Sequence, residues 1–335
     1  MIFSLKKFSL LLMLVVFILT GCDISGSQRE QAIYDDSRLS DDIVEVQIEP
    51  GMSVNQIGAL LVSEGVILDA DLFRYYNSKS GLGSSLQAGL YRFNIGMSIA
   101  EVTEKMAAGD IYIPSFVFSI PEGSNIRQIA RAAERQGFCS EEEFLAAVEH
   151  SNLRHTDPGV IFALEGYLFP ATYTWSYILS PEELLQAFYQ EALDRFGDLD
   201  IPVDHPLSFA EIIVLASILE KESQYDNERE IVAGVFLNRL AIGMPLQSCA
   251  TVNYVLPEFK EILTYEDIAI DSPYNTYVYD GLPIGPISCP GELALQAVLY
   301  PAETDYLFFV VGEDGTHIFS HTYEEHEAAA AWLGG

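Results

Sequence analysis

Apolar and polar residues first alternate at Val44, Val46 and Ile48, with Glu45 and Gln47 between them. This period-two pattern predicts a strand with one buried face. Pro50-Gly51 turns the chain. Ser53 then stands where a helix N-cap belongs, ahead of Val54, Ile57, Leu60 and Leu61 on one helical stripe that Gly65 ends. The pattern goes on to predict a helix over 70–78, a strand over 89–93 and a short helix from Ser98 through Met106. The device recurs as a strand over 116–120, a turn and cap at 121–124, and a helix over 126–135 closed by Gly137. The segments PGMSVNQI, IGMSIAEV and PEGSNIRQI are variations on one strand–turn–helix unit. Their irregular spacing argues against a solenoid.

From Ser140 onward the pattern turns helical, with helices predicted over 141–148 and 181–196. Ser208-Phe209-Ala210-Glu211 matches a capping box. It opens a helix carrying Ile212, Ile213, Val214, Leu215, Ala216, Ile218 and Leu219. A helix apolar nearly all round is a buried one. Beyond it, residues 306–311 read as a strand and 323–332 as a closing helix. The predicted class is α+β, a small βα module followed by a mixed helix/strand domain built on a buried helix.

The buried helix ends in Glu220-Lys221-Glu222-Ser223. Carboxylates at the end of a core helix cost several kcal/mol unless they are paired or partly protonated. Helical spacing points the two about 200° apart, so they do not form a dyad. Burial raises the pKa of whichever lies in a cleft, which suits it to donate a proton to a leaving oxygen. Geometry alone leaves both as candidates, beside plain roles in capping and ion pairing with Lys221 or Arg229. Glu165 is a further buried-looking acid, read as satisfying backbone groups, with orienting the site as the alternative.

The formal charge of -32 over 335 residues argues against nucleic-acid binding and against adhesion to anionic lipid without an anchor. The N-terminus supplies an anchor. Lys6 and Lys7 precede an apolar run from Phe8 to Leu19, which is short for a span of roughly 20 residues and suits a secretory signal. Leu19-Thr20-Gly21-Cys22 resembles a bacterial lipobox, which implies cleavage before Cys22 and lipidation of its thiol. The other reading is an uncleaved membrane anchor. Both place the rest of the chain outside the cytoplasm. Residues 1–21 are thus a leader or anchor, and the polar stretch 22–42 reads as a flexible tether.

Five ordered blocks carry a family resemblance: LEGYLFPATY, LASILEKES, IVAGVFLNRLAIGMPLQS, SPYNTYVYDGLPIGPISCPG and YLFFVVGEDGTHIF. Together they resemble the endolytic murein transglycosylases of the YceG-like family. The resemblance implies a catalytic domain over 111–335. The first unit, 43–110, more loosely resembles a LysM-like module, a small fold that often contacts glycans. The implied reaction cuts the β-1,4 bond between N-acetylmuramic acid and N-acetylglucosamine without water, leaving a 1,6-anhydro end and terminating the strand. One carboxyl suffices, and no cofactor is called for. Within the family's E-K-E-[ST] motif it maps to Glu222. Gln247, Tyr274, Asn275 and Thr276 match positions expected to line the glycan groove. Implied partners are peptidoglycan strands, the membrane and cell-wall synthases. The rival is a non-catalytic peptidoglycan-binding lipoprotein.

Two positions depart from the family pattern. Cys249 stands where Asp is common and Cys289 where Asn is common. Because the resemblance places those polar residues close together, a Cys249–Cys289 disulfide is expected, with two buried thiols as the alternative; Cys139 is expected to be a buried free thiol. His317, His321 and His326 are not accompanied by a ligand set of H-E-x-x-H type, so no metal site is expected.

Overall fold

A computed structural model describes residues 26–154, 158–223, 228–313 and 315–333. Residues 1–21, read as a leader or anchor, and Cys22, read as a lipidation position, lie outside them. Among the described residues no helix is long and apolar enough to cross a membrane. The chain divides into two units, 1–114 and 115–335.

In the first unit, β1 (Ile43–Ile48) and β2 (Gly89–Asn94) form an antiparallel pair with Val46 opposite Tyr91. Between them in sequence lie α2 (Val54–Ser63) and α3 (Ala70–Ser80), and after them α4 (Ile99–Ala108). Ser53 and Ser98 each close a capping box, accepting the main-chain N–H of Gln56 and Glu101 in turn. The alternation in β1 aims Val46 and Ile48 at a core shared with Phe73, Tyr91, Phe93 and Met106. One correction concerns the stretch read as a tether. Residues Gly26–Ile33 form a helix, α1, and Ile33 is 1% exposed within this core. Ala32 packs beside it, Glu30 pairs with Lys79 at 2.6 Å, and Tyr34 packs edge-on against Tyr76 at 6.2 Å.

The second unit has two cores. One gathers β3 (Phe116–Ser119), β4 (Thr172–Trp175), α5 (Ile126–Arg135), α6 (Glu141–His150) and the N-terminal half of α7 (Pro181–Gly197) around Phe118, Phe144 and Phe188. The cap of α5 sits one residue later than the sequence suggests. Asn125 and Gln128 form the capping box, while the Ser124 hydroxyl donates to the Pro121 carbonyl. The other core surrounds α8 (Phe209–Glu222), whose residues 212–219 are all buried, as its all-round apolarity requires. Helices α9 (Arg229–Ala241), α10 (Cys249–Val255) and α12 (Glu292–Leu299) pack on α8. A short α11 (Tyr265–Ile268) lies between α10 and α12 in sequence. The hairpin β5 (Phe308–Val311)–β6 (His317–Ser320) and the closing helix α13 (Tyr323–Leu333) complete the unit.

Candidate active site

The last turn of α8 separates its two acids as the helical spacing requires. Glu220 turns inward to an ion pair with Arg229 at 3.3 Å, both side chains under 10% exposed, and accepts the Gly291 N–H at 2.9 Å. Those bonds tie α8 to α9 and to the start of α12. Glu222 points the other way. Its carboxyl, half-buried, accepts the hydroxyl of Ser248 and a main-chain bond from Ala250 at the start of α10. Desolvation holds it above the ordinary carboxylate range. The bonds from Ser248 and Ala250, with the nearby charges of His317 and Arg239, pull it partly back.

Two cavities meet at Glu222. One, of about 320 Å³, runs past Arg127, Arg131, Lys221, Tyr254 and Lys260. The other, of about 600 Å³, is walled by Phe236, Tyr277, Phe308, Phe309, Tyr323 and Arg239. Cys249 borders both. One arm is therefore polar and cationic and the other aromatic, with a single carboxyl at the join. Flat aromatic faces and a few hydrogen-bonding groups suit a sugar chain.

Of the residues expected to face the glycan, Gln247 alone is exposed, and it lines the aromatic cavity. Its φ of +48° is the one left-handed backbone outside glycine among the described residues. Such strain is held only where neighbours enforce it, here by the bond from the Gln247 N–H to the Thr276 carbonyl. Tyr274, Asn275 and Thr276 are corrections, being at most 1% exposed. Tyr274 packs on Tyr254 at 4.9 Å and accepts the Ile161 N–H through its hydroxyl, so it offers no face to a pyranose. Asn275 donates to the carbonyls of Ile268 and Ile270. The Thr276 hydroxyl accepts the Ser248 N–H at 3.0 Å and lies 2.9 Å from that of Thr251. The three build the scaffold that holds Ser248 against Glu222.

The expected disulfide is also corrected. Cys139, Cys249 and Cys289 are all free. Cys289 is sealed in the first of the two cores described above, its main chain bonded to Gly123 and Ser124, while Cys249 is exposed with its sulfur 3.1 Å from the Tyr277 hydroxyl. Burial pushes the Cys289 thiol far up and, with Glu143 and Glu182 nearby, the Cys139 thiol to about 11. Alkylation at neutral pH without reductant is therefore expected to label Cys249 first, Cys139 slowly and Cys289 only on unfolding. Peptide mapping that finds a Cys249–Cys289 bridge would contradict this.

Sequence reasoning did not single out Ser248, Arg239 or Tyr277 as site residues. Arg239 is a buried cation whose guanidinium donates to the carbonyls of Leu307 and Leu246, beside the aromatic cavity. An Arg in the apolar run GVFLNRLA was the available signal. Glu165 meets its expected role. It is fully buried and accepts the Ile126 N–H at 3.2 Å and the Tyr254 hydroxyl at 2.9 Å. The three histidines part company, His317 to Glu228 at 2.7 Å, His321 to Asp305 at 3.0 Å and His326 stacked on Phe308. Among the described residues no group of three or more His, Cys, Asp or Glu is placed to hold a metal.

The YceG-like family profile matches residues 46–331. A protein of Bacillus subtilis named endolytic murein transglycosylase is 31% identical over 93% of this chain and 90% of its own length. A Streptococcus pneumoniae protein of the same name is 31% identical over 86% of this chain, which spans 58% of that longer protein. A crystal structure of a yceG-like protein from Listeria monocytogenes aligns with 86% of this chain and 99% of its own, at 32% identity and a TM-score of 0.58.

Proposed function

From the premise that this chain belongs to the YceG-like family, we propose that it is an endolytic lytic transglycosylase with Glu222 as its one acid/base. The observation that carries this reading is the single carboxyl at the join of two cavities, held above its ordinary pKa. The other acid lining those cavities is Glu261, on an exposed loop. A hydrolase of the usual kind needs two carboxyls flanking the bond, one of them to activate water or attack the sugar. A transglycosylase needs one. Protonated Glu222 gives its proton to the oxygen between muramyl C1 and the next sugar, and that C–O bond breaks. The muramyl 6-hydroxyl then closes on C1, its proton returning to the Glu222 carboxylate. The products are a free 4-hydroxyl and a 1,6-anhydro ring, with the enzyme restored. Ser248 steadies the carboxyl in both states, because its hydroxyl can donate to the carboxylate or accept from the acid.

Digestion of purified peptidoglycan strands, read by mass spectrometry, tests the reading. Internal cuts ending in 1,6-anhydromuramyl groups are expected. Reducing muramyl ends would assign a hydrolase, and uncut strands would favour the non-catalytic binding protein. We further place the protein on the extracytoplasmic face of the cell membrane, beside cell-wall synthases, held by a lipidated Cys22 or an N-terminal span. The 43–110 unit, read as LysM-like, is assigned to strand contact. The peptide map of the cysteines also reads the anchor, since a lipid-modified Cys22 peptide identifies one form and an intact leader the other.

A further inference from the structure

The cationic arm of the groove has no task in proton transfer. Arg127, Arg131 and Arg135 recur at every fourth residue of α5, so they lie along one stripe of that helix. Arg127 and Arg131 line the cavity with Lys221 and Lys260, and Arg131, Arg135 and Lys221 line the adjoining one. Four of the chain's 17 Lys and Arg thus share a cavity with Glu222, and Arg135 lines the adjoining one, on a protein with 49 acidic residues. Arg131 and Lys260 lean on Glu141 and Asp267 at 3.2 and 2.7 Å. Arg127 and Lys221 instead donate to the carbonyls of Tyr254 and Gly123. Both line the cavity, with Glu222 and Glu261 as the acids in the same lining and Glu122 in the adjoining one, while Arg127 also lies near buried Glu165 and Lys221 near Glu220. Leu256, Pro257 and Phe259 add apolar surface to the same cavity.

We propose that this strip binds the anionic peptide stem of the substrate and makes the enzyme prefer stem-bearing over bare glycan. The inference rests on the transglycosylase reading of the same groove. The stem is carried on the lactyl ether of the same muramyl residue whose C1 is cut, so it must leave the groove within about one sugar of Glu222. A short peptide that carries both methyl side chains and free carboxylates matches a wall that offers both apolar groups and cations. Elsewhere on so acidic a surface those carboxylates meet repulsion.

Binding tests this apart from cleavage. Full-length Glu222→Gln protein is titrated with soluble glycan fragments bearing stems, with the same fragments after amidase stripping, and with fragments whose stem carboxylates are capped as amides. The stem-bearing form is expected to bind roughly tenfold tighter than the other two. The advantage shrinks as salt rises from about 50 to about 500 mM. Adding Arg127→Gln and Arg131→Gln is expected to bring the ratio within about twofold. Arg131→Gln with Arg135→Gln, both at exposed positions, repeats the test where folding is not at risk. Equal affinity for all three fragments, or an advantage unmoved by salt and by both variants, overturns the inference. The anhydro ends made by wild type are not read here, so the two readings fail separately.

Discussion

Glu222→Gln is expected to lower strand cleavage by roughly 10²- to 10⁴-fold while leaving the protein folded, the range that general acid/base catalysis contributes. The amide oxygen still accepts the Ser248 hydroxyl and the amide fills the same space, so the groove keeps its shape. Only the transferable proton is lost. Glu220→Gln is the informative contrast. It removes the charge of Glu220 from its buried pair with Arg229 and weakens the tie between α8 and α9, so the melting temperature should fall, while turnover per folded molecule should persist. The two carboxyls that helical spacing could not rank are thereby separated by experiment. The pH profile adds a second check. Glu222 must be protonated to begin the reaction, and burial raises its pKa. Activity should therefore extend above the ordinary carboxylate range and fall as pH rises through the raised value. Equal anhydro yields from Glu222→Gln and wild type would remove the residue from the mechanism.

How far this site could be read from the sequence depends on the range of the interactions that build it. Capping boxes are local. Ser53, Ser98 and Ser208 announce their helices within four residues, and each forms as written. The all-round apolarity of α8 is likewise local, and it correctly buried the helix and set its two acids apart. The surroundings of Glu222 are not local. Ser248 reaches it across 26 residues and is itself held by Thr276. No period in either segment encodes that approach. Tyr274, Asn275 and Thr276 carry side chains that serve a ligand or a loop equally well, and only burial decides. The cysteines failed for a related reason. Standing where polar residues are usual marked them as unusual, but Cys289 is buried in a core while Cys249 is exposed at the groove. The arginine stripe of α5 was legible in IRQIARAAER, yet a charged stripe reads as a solvated face until a cavity is found beneath it.

Glu165 is expected to make wild type lose stability, relative to Glu165→Gln, by about 3 kcal/mol between about pH 4.5 and about pH 7. It is sealed between α5 and α10, and burial pushes its carboxyl up to about 7 from an ordinary value of 4.5, against the opposing pull of Tyr254, Ile126 and Arg127. The sign follows from proton counting. In that window the unfolded chain has released the proton and the folded chain keeps it, so rising pH favours unfolding. The contribution is complete below the unfolded value, drains away as pH climbs through the folded one, and is flat above. Gln occupies the same space and still accepts one bond, but it cannot ionise. Subtracting its unfolding free energy from that of wild type, by urea titration at each pH, cancels the other acids. A difference that stays constant across the window would mean that Glu165 ionises in the folded protein as readily as in the unfolded chain. The same residue joins stability to the site. It binds the first turn of α5, from which Arg127 reaches the groove, and through the Tyr254 hydroxyl it fixes α10, whose first turn carries Cys249 and Ala250. Ionising it should therefore loosen the cationic arm before it unfolds the unit, and wild type should exchange the amides of α5 and α10 faster at about pH 7.5 than at about pH 5, beyond the intrinsic pH effect, while Glu165→Gln should not.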